Sequence, residues 1–216
     1  HPGDLPPVVD HACGPQNADA WCGEKMPPAA LQLARRAYRG AVQFVDEQVG
    51  RILRVLRERG LMERTLVLFT ADHGDAQGYP YEFSAHVPMV VRVPELLLAG
   101  AGARGTVDST HVVELRDVLP TFLDAAGALG SIPAGHVLDG ASLLCLPGAC
   151  APARSWRPWL DLEHETNHWS ALTDGRAKYV FNASSATEQL FNLTGDPYEV
   201  VDLAPDPAHA ATLALW

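Results

Sequence analysis

The chain lacks any uncharged apolar run of about 18 residues, so no segment reads as a membrane-spanning helix. It lacks positive charge as well. Lys and Arg number 16 against 26 Asp and Glu in 216 residues, a formal net charge of −10. That balance argues against a nucleic-acid or anionic-membrane partner and suits a host for a divalent cation. No zinc-finger spacing joins its four cysteines, Cys13, Cys22, Cys145 and Cys150. No internal repeat is visible. The chain opens on His1, without a basic-then-apolar leader, and its first residues read as the middle of a loop. The sequence therefore reads as a processed chain or a fragment.

What is present is enough apolar residue, 47%, to bury a core, which excludes wholesale disorder. The length suits one moderate domain with a small appendage. Two disulfides among four cysteines allow three connectivities. The close pairs, 13 with 22 and 145 with 150, would each clip a Pro/Gly-rich loop. Two N-glycosylation sequons begin at Asn182 and Asn192. Together these features point to an oxidising route, a secreted or lysosomal-like compartment.

Residues 1–27 are Pro-, Gly-, Ala- and Asp-rich and read as a loop or extension. From Pro28 to Arg59, Ala34, Tyr38, Ala41, Val45, Val49, Ile52 and Leu56 recur every three to four residues, which predicts an amphipathic helix. Gly60 suits its C-cap. Residues 65–70 (TLVLFT) are continuously apolar, which predicts a central parallel strand covered on both faces. Residues 88–93 predict the next strand, and 109–113 a further one leading into a helix over 115–126. Residues 128–156 are irregular. Short strands over 159–164, 169–173 and 177–181 then predict an antiparallel unit. The fold class is α/β: part of a mostly parallel α/β/α sandwich with a small C-terminal antiparallel β subdomain. Its divisions are 1–27, an α/β portion over 28–150, and a β-rich subdomain over 151–216.

The chemical signal is Thr70-Ala71-Asp72-His73-Gly74-Asp75. Open α/β sheets bind ligands at the carboxyl ends of strands. Asp72 and His73 sit at such an end, where a carboxylate and an imidazole can both coordinate a divalent metal, and Gly74 permits a tight turn. The plain alternative is a turn or a helix cap.

In this context the chain resembles the sulfatase family of the alkaline-phosphatase-like superfamily. The matching stretches are 38–53 (YRGAVQFVDEQVGRIL), 60–75 (GLMERTLVLFTADHGD), 78–95 (GYPYEFSAHVPMVVRVPE), 112–127 (VVELRDVLPTFLDAAG) and 139–144 (DGASLL). In the tail they are 172–179 (LTDGRAKY) and 189–199, with Asp196-Pro197-Tyr198-Glu199 at its end. The resemblance implies hydrolysis of sulfate esters by a formylglycine made from a cysteine, assisted by one Ca²⁺. It implies Asp72 and His73 as metal ligands, with His73 alternatively a catalytic contact to the nucleophile or the sulfate. Asp75 would be a supporting residue or a cap. The partner would be a sulfated small molecule or carbohydrate.

The resemblance also has breaks. The family's consecutive acidic ligands and its Cys-x-Pro-x-Arg nucleophile motif precede the Asp-His segment. Here residues 150–154 (CAPAR) fit that pattern but follow the segment, inside a Pro/Ala-rich loop, so Cys150 is not assigned as the nucleophile. Many sulfatases carry a longer loop after Asp-His-Gly, with a sulfate-binding Lys. Here only Lys25 and Lys178 exist, and Lys178 lies on a strand that resembles a structural element. A phosphoester or phosphonate-ester hydrolase of the same superfamily, or a binding domain without activity, remain the alternatives. His86 reads as a strand cap or packing residue. Glu163 and His164 point to opposite faces of a strand and, with His168, read as edge or pocket-rim residues. Trp156, Trp159 and Trp169 read as the small subdomain's core.

Overall fold

The computed structural model describes residues 28–74, 78–97, 105–146 and 156–216. The chain divides into two compact units, one ending at Thr65 and the other running from Leu66 to Trp216. In the first, helix α1 (Pro28–Glu58) spans 31 residues, as the three-to-four spacing predicts. Gly60, at φ 63°, ends it. The Leu61 N–H donates to Leu56 O at 2.8 Å and the Gly60 N–H to Arg57 O at 3.0 Å, a Schellman C-cap. The periodicity predicts a covered apolar stripe, but Tyr38 and Ile52 are about three-fifths exposed, and only positions such as Val49, Leu53 and Leu56 are half-buried.

In the second unit, β1 (Val67–Thr70) pairs with β2 (Met89–Arg92). The register sets Val67 opposite Arg92 and Thr70 opposite Met89, and the pairing is antiparallel. The expectation of a parallel central strand covered on both faces is thus corrected for this pair. Val67 and Leu68 are half-buried and Phe69 is exposed. Between the two strands lies a single turn of helix, α2 (Glu82–Ala85).

No strand forms over 109–113. The Asp108 carboxylate captures the backbone there. Its Oδ1 accepts from the Thr110 N–H at 2.9 Å and the His111 N–H at 3.1 Å, which makes an Asx-type turn. Helix α3 (Val118–Ala125) follows a 3₁₀ turn over Leu115–Asp117. A capping box opens that turn, with Glu114 and Asp117 each satisfying the other's backbone N–H. Asp117 is fully buried and saturated. Its carboxylate accepts from the backbone of Glu114 and Ala141 and holds Arg157 with both oxygens. Gly140 belongs to the same junction, because a Cβ there would stand 2.0 Å from Arg116 O.

The C-terminal sheet runs β3 (Leu160–His164), β4 (Trp169–Thr173), β5 (Ala177–Asn182) and β6 (Thr187–Asn192), all antiparallel and in sequence order. Its core is Ala171, Val180 and Phe191, with Tyr81, Leu162, Trp169 and Leu193 packed against them. A one-turn helix, α4 (Ala210–Leu213), follows. The α/β class with a C-terminal antiparallel sheet stands. Cys145 is disulfide-bonded; Cys13, Cys22 and Cys150 lie outside the described residues. Both sequon asparagines sit at strand ends, where Asn182 Oδ1 accepts from the Ser184 N–H and Asn192 Oδ1 from the Thr194 N–H. Among the described residues, no helix is long and apolar enough to cross a membrane.

Candidate active site

β1 delivers the chain into Ala71-Asp72-His73-Gly74. The Asp72 side chain is 89% exposed, and its Oδ1 accepts the His73 N–H at 3.0 Å. His73 is half-buried, with Nδ1 2.9 Å from Gly74 O. A carbonyl oxygen only accepts, so Nδ1 carries a proton and, in the neutral tautomer this selects, the lone pair lies on Nε2. Nε2 stands 3.9 Å from Asp72 Oδ2. The structure therefore presents one carboxylate and one lone-pair nitrogen side by side at the carboxyl end of β1.

Gly74 is required by close approach rather than by a left-handed backbone. Its N–H donates to Ser84 O at 2.7 Å. A Cβ at this position would meet Phe83 O at 2.0 Å and Phe83 C at 2.8 Å, both backbone atoms.

The chain returns from the motif through residues 78–85, and this limb is held by the C-terminal sheet. Gly78 O accepts from Asn167 Nδ2 at 2.7 Å and from Trp169 Nε1 at 2.8 Å. Pro80 O accepts from Lys178 Nζ at 3.0 Å. The Tyr81 hydroxyl donates to Gln189 Oε1 at 2.9 Å, and its ring meets Phe191 edge-on at 6.0 Å. The Glu82 N–H donates to Glu199 Oε2 at 2.6 Å.

Lys178 is completely buried and Glu199 is 1% exposed. Lys178 Nζ lies 2.6 Å from Glu82 Oε1 and 2.8 Å from Glu199 Oε1. The second contact is one of charge without hydrogen-bond alignment. Burial alone would raise the Glu82 pKa. The His86 hydrogen bond and the Lys178 charge outweigh it and hold Glu82 at about 2. For Glu199 burial prevails over Lys178 and pushes its carboxyl up. Glu199 also has a left-handed backbone, φ 56°, rare for a residue with a side chain.

The other candidates fall as follows. Lys178 is buried among Pro80 O, Glu82 and Glu199 and is not offered to a substrate anion; Lys25 lies outside the described residues. His86 neither caps a strand nor packs. Its side chain is 76% exposed and pairs with Glu82 at 3.0 Å. Glu163 and His164 do face opposite ways, exposed and half-buried. His164 Nδ1 accepts the Asn167 N–H at 3.2 Å, and its ring lies 6.0 Å from that of Trp169. His168, at φ 52°, turns the β3–β4 hairpin. Trp169 packs on the core, but Trp159 is half exposed, which corrects its reading as core. Trp156 donates from Nε1 to Val112 O and stacks on Arg157. Asp75 and Cys150 lie outside the described residues. Sequence reading missed Asn167, Glu82 and Glu199 as supports of the motif loop. Only the period-two face shared by Lys178 and Val180 hinted at an inward lysine. Among the described residues, no three or more His, Cys, Asp or Glu side chains gather as a metal cluster, so Asp72 and His73 stand as a pair.

The sulfatase family model matches residues 8–128. The chain is 36% identical to an arylsulfatase of Clostridium perfringens over 187 residues, which is 81% of this chain and 36% of that protein. Among solved structures, a phosphonate monoester hydrolase from Silicibacter pomeroyi superposes with a TM-score of 0.70 at 27% identity, covering 91% of this chain and 42% of that one. A 2-O GAG sulfatase superposes at 0.65 and 25% identity, covering 79% of this chain and 38% of that one. The chain thus spans about a third of the length of the arylsulfatase it matches. With more than half of its residues under the family model, the chain belongs to the sulfatase family.

Proposed function

We propose that this chain supplies part of the active site of a sulfate-ester hydrolase, with Asp72 and His73 as its contribution to a divalent-cation site. The observation that carries the reading is the pairing of a bare His73 Nε2 with Asp72 Oδ2, 3.9 Å apart, on a motif left open to solvent. A hard cation such as Ca²⁺ takes oxygen ligands. The exposed Asp72 carboxylate fits that demand. The His73 imidazole, a nitrogen donor, fits a softer divalent cation as a ligand and fits beside Ca²⁺ as a hydrogen-bonding contact to the reacting group. The remaining ligands and the nucleophile would come from outside the described residues. When bound, the cation supplies Lewis-acid polarisation of the ester's anionic oxygens. The chain's own residues orient the site. The Gly74 carbonyl fixes the His73 tautomer, and Asp72 is steadied by the His73 N–H.

The substrate is a sulfated small molecule or carbohydrate. The disulfide at Cys145 and the turn placement of Asn182 and Asn192 support an oxidising, secretory or lysosomal-like compartment. A phosphonate monoester is the second reading, favoured by the superposition at 27% identity. Both substrates are tetrahedral anionic esters, so the assay separates them. The protein carrying this chain is tested on an aryl sulfate and an aryl phosphonate monoester, each with Asp72→Asn alongside. Asp72→Asn should weaken Ca²⁺ binding and turnover about 10- to 100-fold. It should leave the thermal midpoint unchanged, since the side chain is exposed. Full sulfatase activity in Asp72→Asn would sink the reading. Activity on the phosphonate alone would establish the second.

A further inference from the structure

The Asp72–Gly74 motif has a positional problem. Among the described residues, the hydrogen bonds of its two side chains are local: Asp72 to the His73 N–H, and His73 to Gly74 O. Neither bond ties the motif to the rest of the protein. The contact that does is the Gly74 N–H to Ser84 O at 2.7 Å. Where Asp72 and His73 stand therefore depends on where residues 78–85 stand. That limb is loop and one short turn of helix, whose Tyr81 packs on the core of the C-terminal sheet while its backbone groups need partners from outside the limb. Its position comes from side chains of the C-terminal sheet and the segment after it.

We propose that Lys178 and Glu199 are positioning residues for the Asp72–His73 site. They latch the returning limb of its loop at Pro80 and Glu82, and the limb sets the motif through Ser84 and Gly74. The claim rests on the cation-site reading for its functional meaning, but its geometry stands on contacts within one compact unit. Lys178 is on β5, one alternation from Val180, so the pleat turns its stem into the core. Its ammonium group meets Pro80 O, Glu82 and Glu199, and nothing of it reaches solvent. Glu199 accepts the Glu82 N–H.

Two features separate this cluster from an incidental buried ion pair. First, both residues bond the limb's backbone, Lys178 at Pro80 O and Glu199 at the Glu82 N–H, so they fix where the main chain runs. Second, Glu199 holds a left-handed backbone, φ 56°, a strained conformation that persists only where its surroundings hold it. Asn167 and Trp169 add an independent anchor at Gly78 O. The limb is therefore pinned at 78, 80 and 82, ahead of the contact at 84 that carries the motif.

The test is hydrogen exchange on the full chain, unaltered and as Glu199→Gln, with metal absent. The Gln side chain keeps the shape and an oxygen for the Glu82 N–H but removes the charge facing Lys178. Exchange at the Glu82 and Gly74 amides should quicken about tenfold while β4 and β5 amides keep their protection, the pattern of a local opening. Asn167→Ala, at an exposed position, is the second variant and should loosen Gly74 in the same direction if Glu199→Gln does not fold. Unchanged exchange at Gly74 in the folded variants would overturn the latch. So would a rise spread equally over β4 and β5, which is the mark of a merely structural role. Calorimetric titration with Ca²⁺ alone is the separate arm. The positioning role expects folded Glu199→Gln to bind about tenfold more weakly than the unaltered protein. No Ca²⁺ binding by the unaltered protein that carries this chain would fell the cation-site reading, whereas the exchange pattern by itself decides the latch.

Discussion

Gly74→Ala is the substitution whose effect follows most directly from the geometry. The new Cβ would stand 2.0 Å from Phe83 O, 2.8 Å from Phe83 C and 3.2 Å from Ser84 Cα. All three are backbone atoms, so no side chain can swing aside. The two chain segments must part by about 1 Å to reach a tolerable contact. Such overpacking costs about 1–3 kcal/mol. The parting also lengthens the Gly74 N–H bond to Ser84 O, worth about 1 kcal/mol. Against this, Ala restricts the unfolded chain and returns about 0.4–1 kcal/mol. The net loss is about 2–3 kcal/mol. In a chain of this size each kcal/mol moves the thermal midpoint by about 2–4 °C, so a fall of about 5–10 °C is expected. The assay is thermal unfolding followed by circular dichroism. Gly130→Ala is the control, because nothing lies within 4 Å of its Cβ and its φ is ordinary. It should change stability by less than about 0.5 kcal/mol. If Gly74→Ala melts within about 2 °C of the unaltered chain, the close approach does not constrain the motif and the reasoning fails.

Two further outcomes follow from buried charge. Asp117→Ala strips Arg157 of its two-pronged partner and leaves the Glu114 and Ala141 N–H groups unbonded, so a loss of about 3–5 kcal/mol is expected by denaturant unfolding; a loss below about 1 kcal/mol would refute the saturated-hub account. Glu82 is held at about 2, below its ordinary value of 4.5, so its contribution is present above that ordinary value and is lost as pH falls from about 5 to 2. Glu199 is displaced the other way, and its contribution is lost as pH rises through its raised value. Glu82→Gln should flatten the acid limb of a stability–pH curve, and an unchanged acid limb would show that Glu82 is not the group responsible.

The elements legible in the sequence are those whose information is local. Helix α1 follows from apolar residues every three to four positions, and its end from Gly60, which adopts the left-handed conformation a Schellman cap needs. The first two hairpins of the C-terminal sheet follow from short β-rich runs between turn residues such as Asp174-Gly175, whereas β6 was visible only through the resemblance of residues 189–199. The direction of pairing was not legible, because the run Val67-Leu68-Phe69 reads the same in a parallel or an antiparallel neighbourhood. The region 109–113 misled because its apolar residues suit a strand. One carboxylate, Asp108, outbids strand pairing by binding the backbone two and three residues on. At the site, Asp72, His73 and Gly74 were legible as a motif at a strand end. Their supports were not. Glu82 is far from Lys178 and Glu199 in sequence, and no spacing rule joins residues brought together by a folded-back limb. Glu199 was visible only as a letter in Asp196-Pro197-Tyr198-Glu199, a stretch noted for its resemblance rather than for any chemistry.

Buried ion pairs are often dispensable, and apolar residues of similar volume replace many of them without loss. The Lys178 cluster should not behave that way, for a reason that lies in the backbone. The motif must leave Asp72 and His73 open, so it cannot be fixed by burying them. The limb that fixes it crosses the C-terminal sheet as irregular chain, and irregular chain brings carbonyl and N–H groups without ladder partners. Pro80 O is met by Lys178, and the Glu82 N–H by Glu199. An apolar triple replacement, Glu82→Leu with Lys178→Met and Glu199→Leu, removes every charge of the cluster but orphans both backbone groups. Each orphan costs about 1–3 kcal/mol, and the packing gained by the new side chains does not reach them. The triple variant should therefore be less stable than the unaltered chain by about 2–6 kcal/mol in denaturant unfolding, with the loss accompanied by faster exchange at Gly74. A triple variant as stable as the unaltered chain would mean that the charges serve each other and not the limb. The sheet would then hold the motif loop through Gly78 and Tyr81 alone.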